Sequence, residues 1–292
     1  MVRHGQARGD VRRRCTGRLR VGRVATVASA RIMAHHAYHD LGARQFSIVF
    51  DRNYKFGQEA ALAFNAEVKK LTGSNIAGFN TDLTCRDAFC GIQAGQPSYS
   101  SQVNEWRGSR GDFTALFLEP QTGLTWMGDR NTPSARAQSY GAAQTLFTRS
   151  FAESCQNACD RMQVWTGFKP FLQRYRNDSA VRGYVNDVRA VNPNADTFNQ
   201  FVQGGYVGMQ LLVEGMRAVG PNLTRDRLKA ALDGAKLKSG LTLTDPLVYS
   251  GDNRFVATKM QRWTIQHPGT FSGWSDGPIV ADPCPTGGVG TC

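Results

Sequence analysis

The chain lacks several features that mark common classes of protein. Its 292 residues contain no apolar run near the roughly 20 residues that span a bilayer. The first predicted strand is not followed by the glycine-rich turn that binds a dinucleotide pyrophosphate. No cysteine pair has the Cys-x-x-Cys spacing of zinc or thioredoxin-like sites. These absences argue against a membrane-spanning protein, a nucleotide-dependent dehydrogenase and a zinc domain.

Acidic residues are scarce near the amino terminus. Residues 1–44 hold ten arginines and two aspartates, which contribute +8 of the net charge of +12. The rest of the chain carries only +4, whereas nucleic-acid binding needs a basic face on the folded part. Residues 1–31 show no periodicity, so we predict a basic disordered leader and no nucleic-acid partner. The apolar stretch 24–30 is too short for a convincing signal peptide.

Six of the seven cysteines are close neighbours in the chain. Local disulfides that close small loops are the simplest interpretation, and they indicate an oxidising compartment outside the cytoplasm. Other pairings of six cysteines, or reduced cysteines in a cytosolic protein, remain open from the sequence. The predicted pairs are Cys85 with Cys90, Cys155 with Cys159, and Cys284 with Cys292.

The clearest structural signal lies at residues 46–73. The apolar run 46–50 ends at Asp51 and is followed by a short loop. A buried strand, a loop and a covering helix form the unit of parallel α/β sheets. Ligands of such folds bind outside the carboxyl ends of the strands, so the loop 51–57 is a candidate site. The helical spacing is set by Ala61, Phe64, Val68 and Leu71.

Strands and helices continue to alternate along the chain without tight hairpin signals, which favours a parallel sheet. The longest predicted helix carries an apolar stripe made of Val202, Tyr206, Met209, Val213 and Met216. We predict strands at 75–83, 113–118, 141–147, 162–166, 241–249 and 255–266, and helices at 32–42, 100–107, 181–191, 198–219 and 225–232.

Three histidines lie in the first predicted helix. His35 and His39 are one turn apart, with His36 between them. A metal site needs further ligands, and no matching cluster occurs elsewhere in the sequence. We therefore expect a solvated helix face and no bound metal.

Several segments occur in the order of a known family. They are 46–57 (FSIVFDRNYKFG), 205–220 (GYVGM, then Glu214 and AVG), the helix 224–232, the segment 240–254 with its GDNR turn, and the strand 259–266. Together these segments, within about residues 35–268, resemble the type I periplasmic binding proteins. The type I proteins include the leucine/isoleucine/valine- and amide-binding receptors of ABC transporters. The resemblance implies an α/β fold of Rossmann-like lobes with parallel sheets.

The resemblance also implies a domain organisation. The family has two α/β lobes, and much of the amino-terminal lobe has no counterpart before His35. We therefore expect an N-terminally truncated receptor whose late apolar stripe covers no sheet, unless it packs on the surviving lobe. The expected parts are a ligand-binding lobe at 32–178 and 255–271, a helical remnant at 179–254, and a Gly/Pro-rich tail at 272–292.

The function implied by the resemblance is capture of an amino acid, an amide or a similar small solute. Closure of the lobes around the solute would precede docking on an ABC permease, in the periplasm or at the extracytoplasmic cell surface. No catalysis and no cofactor are expected. With half of the pocket absent, we expect this chain to bind a solute weakly or not at all.

Four residues are candidates for contact with the solute. Tyr54 and Phe56 would form aromatic walls, or would only staple the start of the helix. Glu119, at the end of the third strand, would pair with an ammonium group, or is an exposed acid without a role. Gln121 is the fourth candidate. Asp51 is expected to cap the following loop.

Two other functions are compatible with the same sequence. A ligand-sensing regulatory domain of this fold would use the same cleft with a different partner, and a fused signalling module would identify it. A Rossmann-like enzyme would need a glycine-rich turn and an acidic residue about 20 positions later. The segment DRNYKFG does not have the composition of that turn.

Overall fold

The structure is a computed structural model that describes residues 26–248, 258–266 and 273–284. The helices are α1 (Thr26–His39), α2 (Lys55–Thr72), α3 (Ser100–Ser109), α4 (Pro120–Met127), α5 (Arg149–Cys155), α6 (Ser179–Val191), α7 (Gln200–Val219) and α8 (Arg225–Leu232). The strands are β1 (Phe46–Asp51), β2 (Phe89–Ile92), β3 (Phe113–Phe117), β4 (Ser139–Ala142), β5 (Gln163–Thr166), β6 (Lys236–Leu237), β7 (Leu247–Val248), β8 (Lys259–Ile265) and β9 (Trp274–Ala281).

Seven strands form the central sheet in the order β2-β1-β3-β4-β5-β8-β9. The first five strands are parallel, and β8 and β9 extend the sheet in antiparallel fashion. Every residue of β1 and β3 is buried, as expected where helices cover both faces of a parallel sheet. This architecture confirms the α/β fold with a mostly parallel sheet that the sequence predicts.

The unit at residues 46–73 folds as its pattern indicates. Helix α2 packs Phe64 and Val68 into the core and ends at Gly73, whose φ of 83° is a left-handed conformation. Glycine adopts that conformation at little cost, and the Gly73 N–H donates to the Lys69 carbonyl at 2.8 Å. At the other end of the helix, a Cβ on Gly57 would lie 2.3 Å from the Asp51 carbonyl oxygen. Only glycine therefore allows α2 to start so close to β1.

The sequence predicts a basic leader that extends to residue 31. That boundary is wrong, because helix α1 already begins at Thr26. Ala28, Ile32 and Met33 are completely or almost completely buried, as are most other residues of this helix. A helix that is buried all round has no polar face, and so it shows no amphipathic period in the sequence. The Arg31 side chain donates to both carboxylate oxygens of Asp282 at 2.8 and 2.5 Å. This buried ion pair ties α1 to the end of β9.

The expectation of a solvated histidine face is also wrong. His36 is buried, with Nδ1 2.6 Å from the Asp40 carboxylate and Nε2 3.0 Å from Gln163 Oε1. The pKa of His36 lies below its ordinary value, mainly because the ring is buried. His35 Nε2 lies 2.6 Å from Glu67 Oε1 on α2. Of the three histidines, His39 alone is exposed.

The predicted strand at 75–83 is replaced by a loop, and the second strand is Phe89–Ile92. Gly78 adopts a φ of 78°, and the Asn80 side chain accepts the Thr84 N–H at 3.0 Å, which stabilises a turn. A Cys85–Cys90 disulfide then anchors this loop to β2. A four-residue strand that contains Cys and Gly gives almost no local β signal.

The later segments are closer to the predictions. Helices α3, α6, α7 and α8 lie within a few residues of their predicted bounds. The predicted strand at 241–249 shrinks to the short strand β7, which pairs with β6. The region 272–292, predicted as an irregular tail, contains β9, which pairs antiparallel with β8. The GDNR turn, Cys15 and Cys292 lie outside the described residues.

Helix α7 uses a different face from the predicted stripe. The residues on its buried side include Gln203, Val207, Leu211 and Gly215. A Cβ on Gly215 would lie 2.7 Å from the Leu232 side chain, so this glycine allows α8 to pack closely. Four of the five stripe residues are partly buried beside that face, and Met209 is 56% exposed. None of the helices in the described ranges is long and apolar enough to cross a membrane.

Candidate ligand-binding site

The loops that follow β1, β3 and β4 meet at one edge of the sheet, here called the carboxyl-end edge. The loop after β1 carries Tyr54 and Phe56, whose rings stack with centroids 5.9 Å apart and planes 19° from parallel. Tyr54 is 40% exposed, and Phe56 is partly buried. The two rings therefore present an aromatic surface beside the edge, and their role as walls against a solute stays a prediction.

Glu119 follows β3 and precedes helix α4. Its backbone N–H donates to Asp51 Oδ2 at 2.7 Å, and its Oε1 accepts the Thr122 hydroxyl at 3.2 Å. The Asp51 carboxylate thus joins the ends of β1 and β3. The prediction that Asp51 caps its own loop holds only for its backbone carbonyl, which accepts the Tyr54 N–H at 3.3 Å.

Asp51 is completely buried under this edge. Burial raises the pKa of its carboxyl to about 7, and the nearby Glu119 carboxylate adds to the rise. The hydrogen bond from the Glu119 N–H opposes this effect without cancelling it. Near neutral pH the carboxyl is therefore divided between its protonated and ionised forms.

The segment after β4 supplies a polar group without a partner. Gln144 Oε1 is buried and accepts no hydrogen bond from any residue in the described part of the chain. Thr145 is already occupied, because its hydroxyl donates to the Leu118 carbonyl at 2.6 Å. A buried acceptor without a donor is costly, so Gln144 is suited to a ligand that carries an N–H or O–H group.

Helix α7 forms the opposite wall. Gln200 Oε1 accepts the Thr166 hydroxyl at 2.5 Å, and Gln203 Nε2 donates to the Lys169 carbonyl at 2.8 Å. These bonds fix the first turns of α7 against the end of β5. Glycines on the facing side keep α7 from filling the space, and Phe201, which is 61% exposed, stands at its start.

Between these elements is a cavity of about 610 Å³, here called the cleft. Its lining is mostly apolar, and Glu119 is its one carboxylate. None of the lining residues, all of which are described, is Lys, Arg or His. The lining residues are Thr26, Ser29, Tyr54, Phe56, Glu119, Ala143, Gln144, Thr145, Gln200, Phe201, Gly204, Gly205, Gly208, Met209, Leu212 and Met260.

The structure brings together three of the four predicted site residues. Tyr54, Phe56 and Glu119 line the cleft, whereas Gln121 is exposed on α4 and does not. Sequence reasoning missed Gln144, because it follows a short strand with little local signal. It also missed Phe201, although the start of a helix rich in Gly204, Gly205 and Gly208 was a usable signal for a wall that leaves space.

Two of the predicted disulfides are confirmed, and none of their cysteines lines the cleft. Cys85 pairs with Cys90 and Cys155 pairs with Cys159. Cys284 is disulfide-bonded, while its predicted partner Cys292 lies outside the described residues. Disulfides of this kind persist in oxidising compartments.

A Gly-x-Ser-x-Gly spacing occurs at residues 273–277. In hydrolases that spacing forms a sharp turn from a strand into a helix, with the serine at its tip. Here Ser275 and Asp276 lie within strand β9, and Asp276 pairs with Arg174 at 3.0 Å. The spacing therefore does not form a nucleophile elbow.

A doubly covered parallel sheet, with a mainly apolar cleft at the carboxyl ends of its strands, defines an α/β solute-binding fold. Residues 19–266 match the periplasmic binding protein family, and the chain belongs to that family. The type I periplasmic binding fold expected from the sequence is confirmed by the solved structures that it resembles. A search of curated proteins found none that matches.

Three solved structures illustrate this similarity. Leucine-binding protein LivK from Thermotoga maritima has a TM-score of 0.67 and 13% identity, over 92% of this chain and 69% of that protein. A solute-binding protein from R. palustris in complex with benzoate has a TM-score of 0.63 and 17% identity, over 90% and 65%. A fatty acid ABC transporter substrate-binding protein from Thermomonospora curvata has a TM-score of 0.65 and 18% identity, over 88% and 62%. The chain thus spans about two thirds of their length, and the identities establish the fold alone.

Proposed function

We propose that the protein is a solute-binding component of an ABC importer and that its solute occupies the cleft. The observation that carries this proposal is the cavity of about 610 Å³ between the carboxyl-end edge and α7. Cavities of this size accept small molecules, and α/β sheets bind ligands at this edge. The ABC transporter receptors of the same fold support the role.

The cleft chemistry favours a solute with an apolar body and an amino or amide nitrogen. Glu119 and Gln144 offer oxygen acceptors, and no basic side chain lines the cleft to balance an isolated carboxylate. The stacked rings of Tyr54 and Phe56 add an aromatic face, which attracts cations as well as apolar groups. We assign amino acids and amides as the solute class, in contrast to the benzoate and fatty acid named for two relatives.

The partner and the compartment follow from the same role. An ABC permease would accept the loaded receptor, so the protein would act in the periplasm or at the extracytoplasmic surface. The two described disulfide pairs support this location, because cytosolic thiols are kept reduced.

Titration by NMR tests the proposal and suits weak binding. Leucinamide, leucine and hexanoate share a similar apolar body and differ in their polar groups. We expect millimolar or weaker binding in the order leucinamide, leucine, hexanoate, with shifts at residues that line the cleft. Preferential binding of hexanoate would contradict the assigned solute class, and shifts confined to other surfaces would contradict the site.

Matched variants sharpen this test. Glu119→Gln removes the carboxylate and should weaken leucinamide binding by about tenfold, since hydrogen bonds to charged groups are the strongest class. Gln121→Ala, two residues away and outside the cleft, should have no effect. Phe201→Ser should weaken all three ligands, whereas Val191→Ser, at a residue that is 90% exposed, should not. Equal effects of the Glu119 and Gln121 changes would contradict the role of Glu119.

A further inference from the structure

A second cavity lies at the opposite, amino-end edge of the sheet. It has a volume of about 660 Å³ and is bordered by the residues that lead into β3, β4 and β5 and by the end of α3. Four arginines from three separate segments line it: Arg107 and Arg110 at the end of α3, Arg136 before β4, and Arg161 before β5. We call this cavity the arginine groove.

The charges in the arginine groove are not balanced. Arg136 pairs with Asp160, but Arg107 and Arg161 form no ion pair within the part of the chain that the structure describes. Arg110 contacts only neutral oxygens, Gln138 Oε1 at 3.3 Å and the Arg107 carbonyl at 2.8 Å. These bonds hold its guanidinium in place without neutralising its charge.

The acidic group of the groove is already engaged. Asp112 is the one carboxylate among the lining residues, and its Oδ2 accepts the backbone N–H groups of Arg44 and Gln45 at 3.0 and 3.1 Å. With Arg136 paired to Asp160, three guanidinium groups remain against one carboxylate, which leaves the groove with an excess of positive charge. All four arginines are exposed, so water screens part of their mutual repulsion, and a bound anion would remove the remainder.

The base of the groove is rigid. The buried Gln138 donates through Nε2 to the Gly111 carbonyl at 2.8 Å, and the Tyr140 hydroxyl donates to the Pro133 carbonyl at 2.9 Å. The Arg161 backbone N–H donates to the Ile265 carbonyl at 2.8 Å. The arginines are therefore mounted on fixed backbone rather than on a mobile tail.

We propose that the arginine groove binds a phosphate-bearing anion. The planar guanidinium matches the oxygens of a phosphate in a two-pronged contact, and several such groups suit a multiply charged ligand. Two kinds of ligand carry such a phosphate group: a soluble phosphate compound and the headgroup of an anionic lipid. This site is distinct from the cleft and does not depend on the solute proposed above.

Calorimetry and thermal melting of the full chain test the proposal with pyrophosphate, against acetate at equal ionic strength. We expect saturable binding of pyrophosphate and a raised melting temperature, with neither effect for acetate. The double variant Arg107→Gln/Arg161→Gln should weaken binding by about tenfold or more. The control Arg182→Gln/Arg189→Gln makes the same charge change on exposed positions of α6 and should bind within about twofold of the unaltered chain.

Cosedimentation with vesicles identifies the source of the phosphate. Binding to phosphatidylglycerol vesicles that needs Arg107 and Arg161, without pyrophosphate binding, supports the lipid source. Loss of binding to the same extent in both double variants, or binding of neither probe, overturns the proposal. If the glutamine variant does not fold, Arg107→Lys/Arg161→Lys keeps the charge and removes the planar fork. Unchanged binding of both probes by that variant would also overturn it.

Discussion

The two edges of the central sheet are built from the same strands and have opposite chemistry. At the carboxyl-end edge the cleft is largely apolar, with the acceptors Glu119 and Gln144 and no basic side chain. At the amino-end edge four arginines line a polar groove whose one carboxylate, Asp112, is already hydrogen-bonded.

The difference shows how a parallel sheet gives its two edges different chemistry. All the loops after its strands meet at one edge and all the loops before them meet at the other, so each edge acquires its own chemistry. The cleft is supported by hydrogen bonds around Asp51 and by the first turns of α7. The amino-end edge is supported by hydrogen bonds of Gln138 and Tyr140. Four variants can break or sharpen this comparison.

The largest expected effect comes from a pair of glycines, one at each edge. Gly57→Ala places a Cβ 2.3 Å from the Asp51 carbonyl oxygen and should lower the free energy of unfolding by at least about 3 kcal/mol. Gly108→Ala has no heavy atom within 4 Å of the added Cβ and should be neutral, or stabilising by up to about 1 kcal/mol. Urea denaturation measures both. Similar losses in the two variants would refute the close approach at Gly57.

The next effect depends on pH. The pKa of Asp51 is raised to about 7 in the folded protein, whereas an unfolded aspartate titrates near its ordinary value of 3.8. Between these values the folded state binds more protons than the unfolded state, so stability falls as the pH rises. This loss should amount to about 2 to 3 kcal/mol.

Asp51→Asn removes the titrating group and keeps an oxygen that accepts the Glu119 N–H. Its stability relative to the unaltered chain should therefore increase between pH 4.5 and 7.5. Groups common to both proteins cancel in this difference. Parallel pH profiles in chemical denaturation would show that the carboxyl is not perturbed.

The third effect concerns the disulfide next to β2. Cys85→Ser/Cys90→Ser opens a loop whose ends are five positions apart and should cost about 2 kcal/mol through the entropy of the unfolded chain. Reducing agent should destabilise the unaltered chain by at least as much, because the second described disulfide is lost as well. Cleft residues should keep their NMR shifts in the variant. Large shifts there would show that the disulfide loop and the cleft are coupled.

The smallest effect is electrostatic. Arg107→Gln/Arg161→Gln relieves repulsion in the empty arginine groove and should stabilise the protein by about 0.5 kcal/mol at low salt. The gain should vanish near 1 M salt, where charges are screened over about 3 Å. Arg182→Gln/Arg189→Gln provides the reference for a charge change outside the groove. If the stability gain did not depend on salt, or if the reference variant gained as much, repulsion within the groove would not be its cause.

Much of the fold could be predicted from local pattern. The run 46–50 predicts a buried strand, and the spacing of Ala61, Phe64 and Val68 predicts the helix that covers it. Thr224 predicts the start of α8, where its hydroxyl accepts the Arg227 N–H at 3.3 Å. The misses share a cause: α1 is buried on every side and β2 is four residues long, so neither has a periodic signal.

The residues of the candidate site also fall into two groups, those that local pattern predicts and those that it does not. Tyr54, Phe56 and Glu119 follow predicted strands, and the rule for parallel sheets places them at one edge before any coordinate is known. Gln144 and Phe201 are far away in the sequence, and their presence in the cleft depends on how β4 and α7 pack. The arginines of the groove come from three separate segments, and only Arg107 and Arg110 are close to each other in the chain.

The sequence by itself determined the α/β class, the order of most elements and the family, and it favoured the two local disulfides, because each depends on neighbours in the chain. The tertiary structure decided the burial of α1 and His36, the face of α7 that packs, and the two cavities with their opposite lining. Those features depend on contacts between distant segments, whose free energy of burial and charge balance exists only once the sheet has formed.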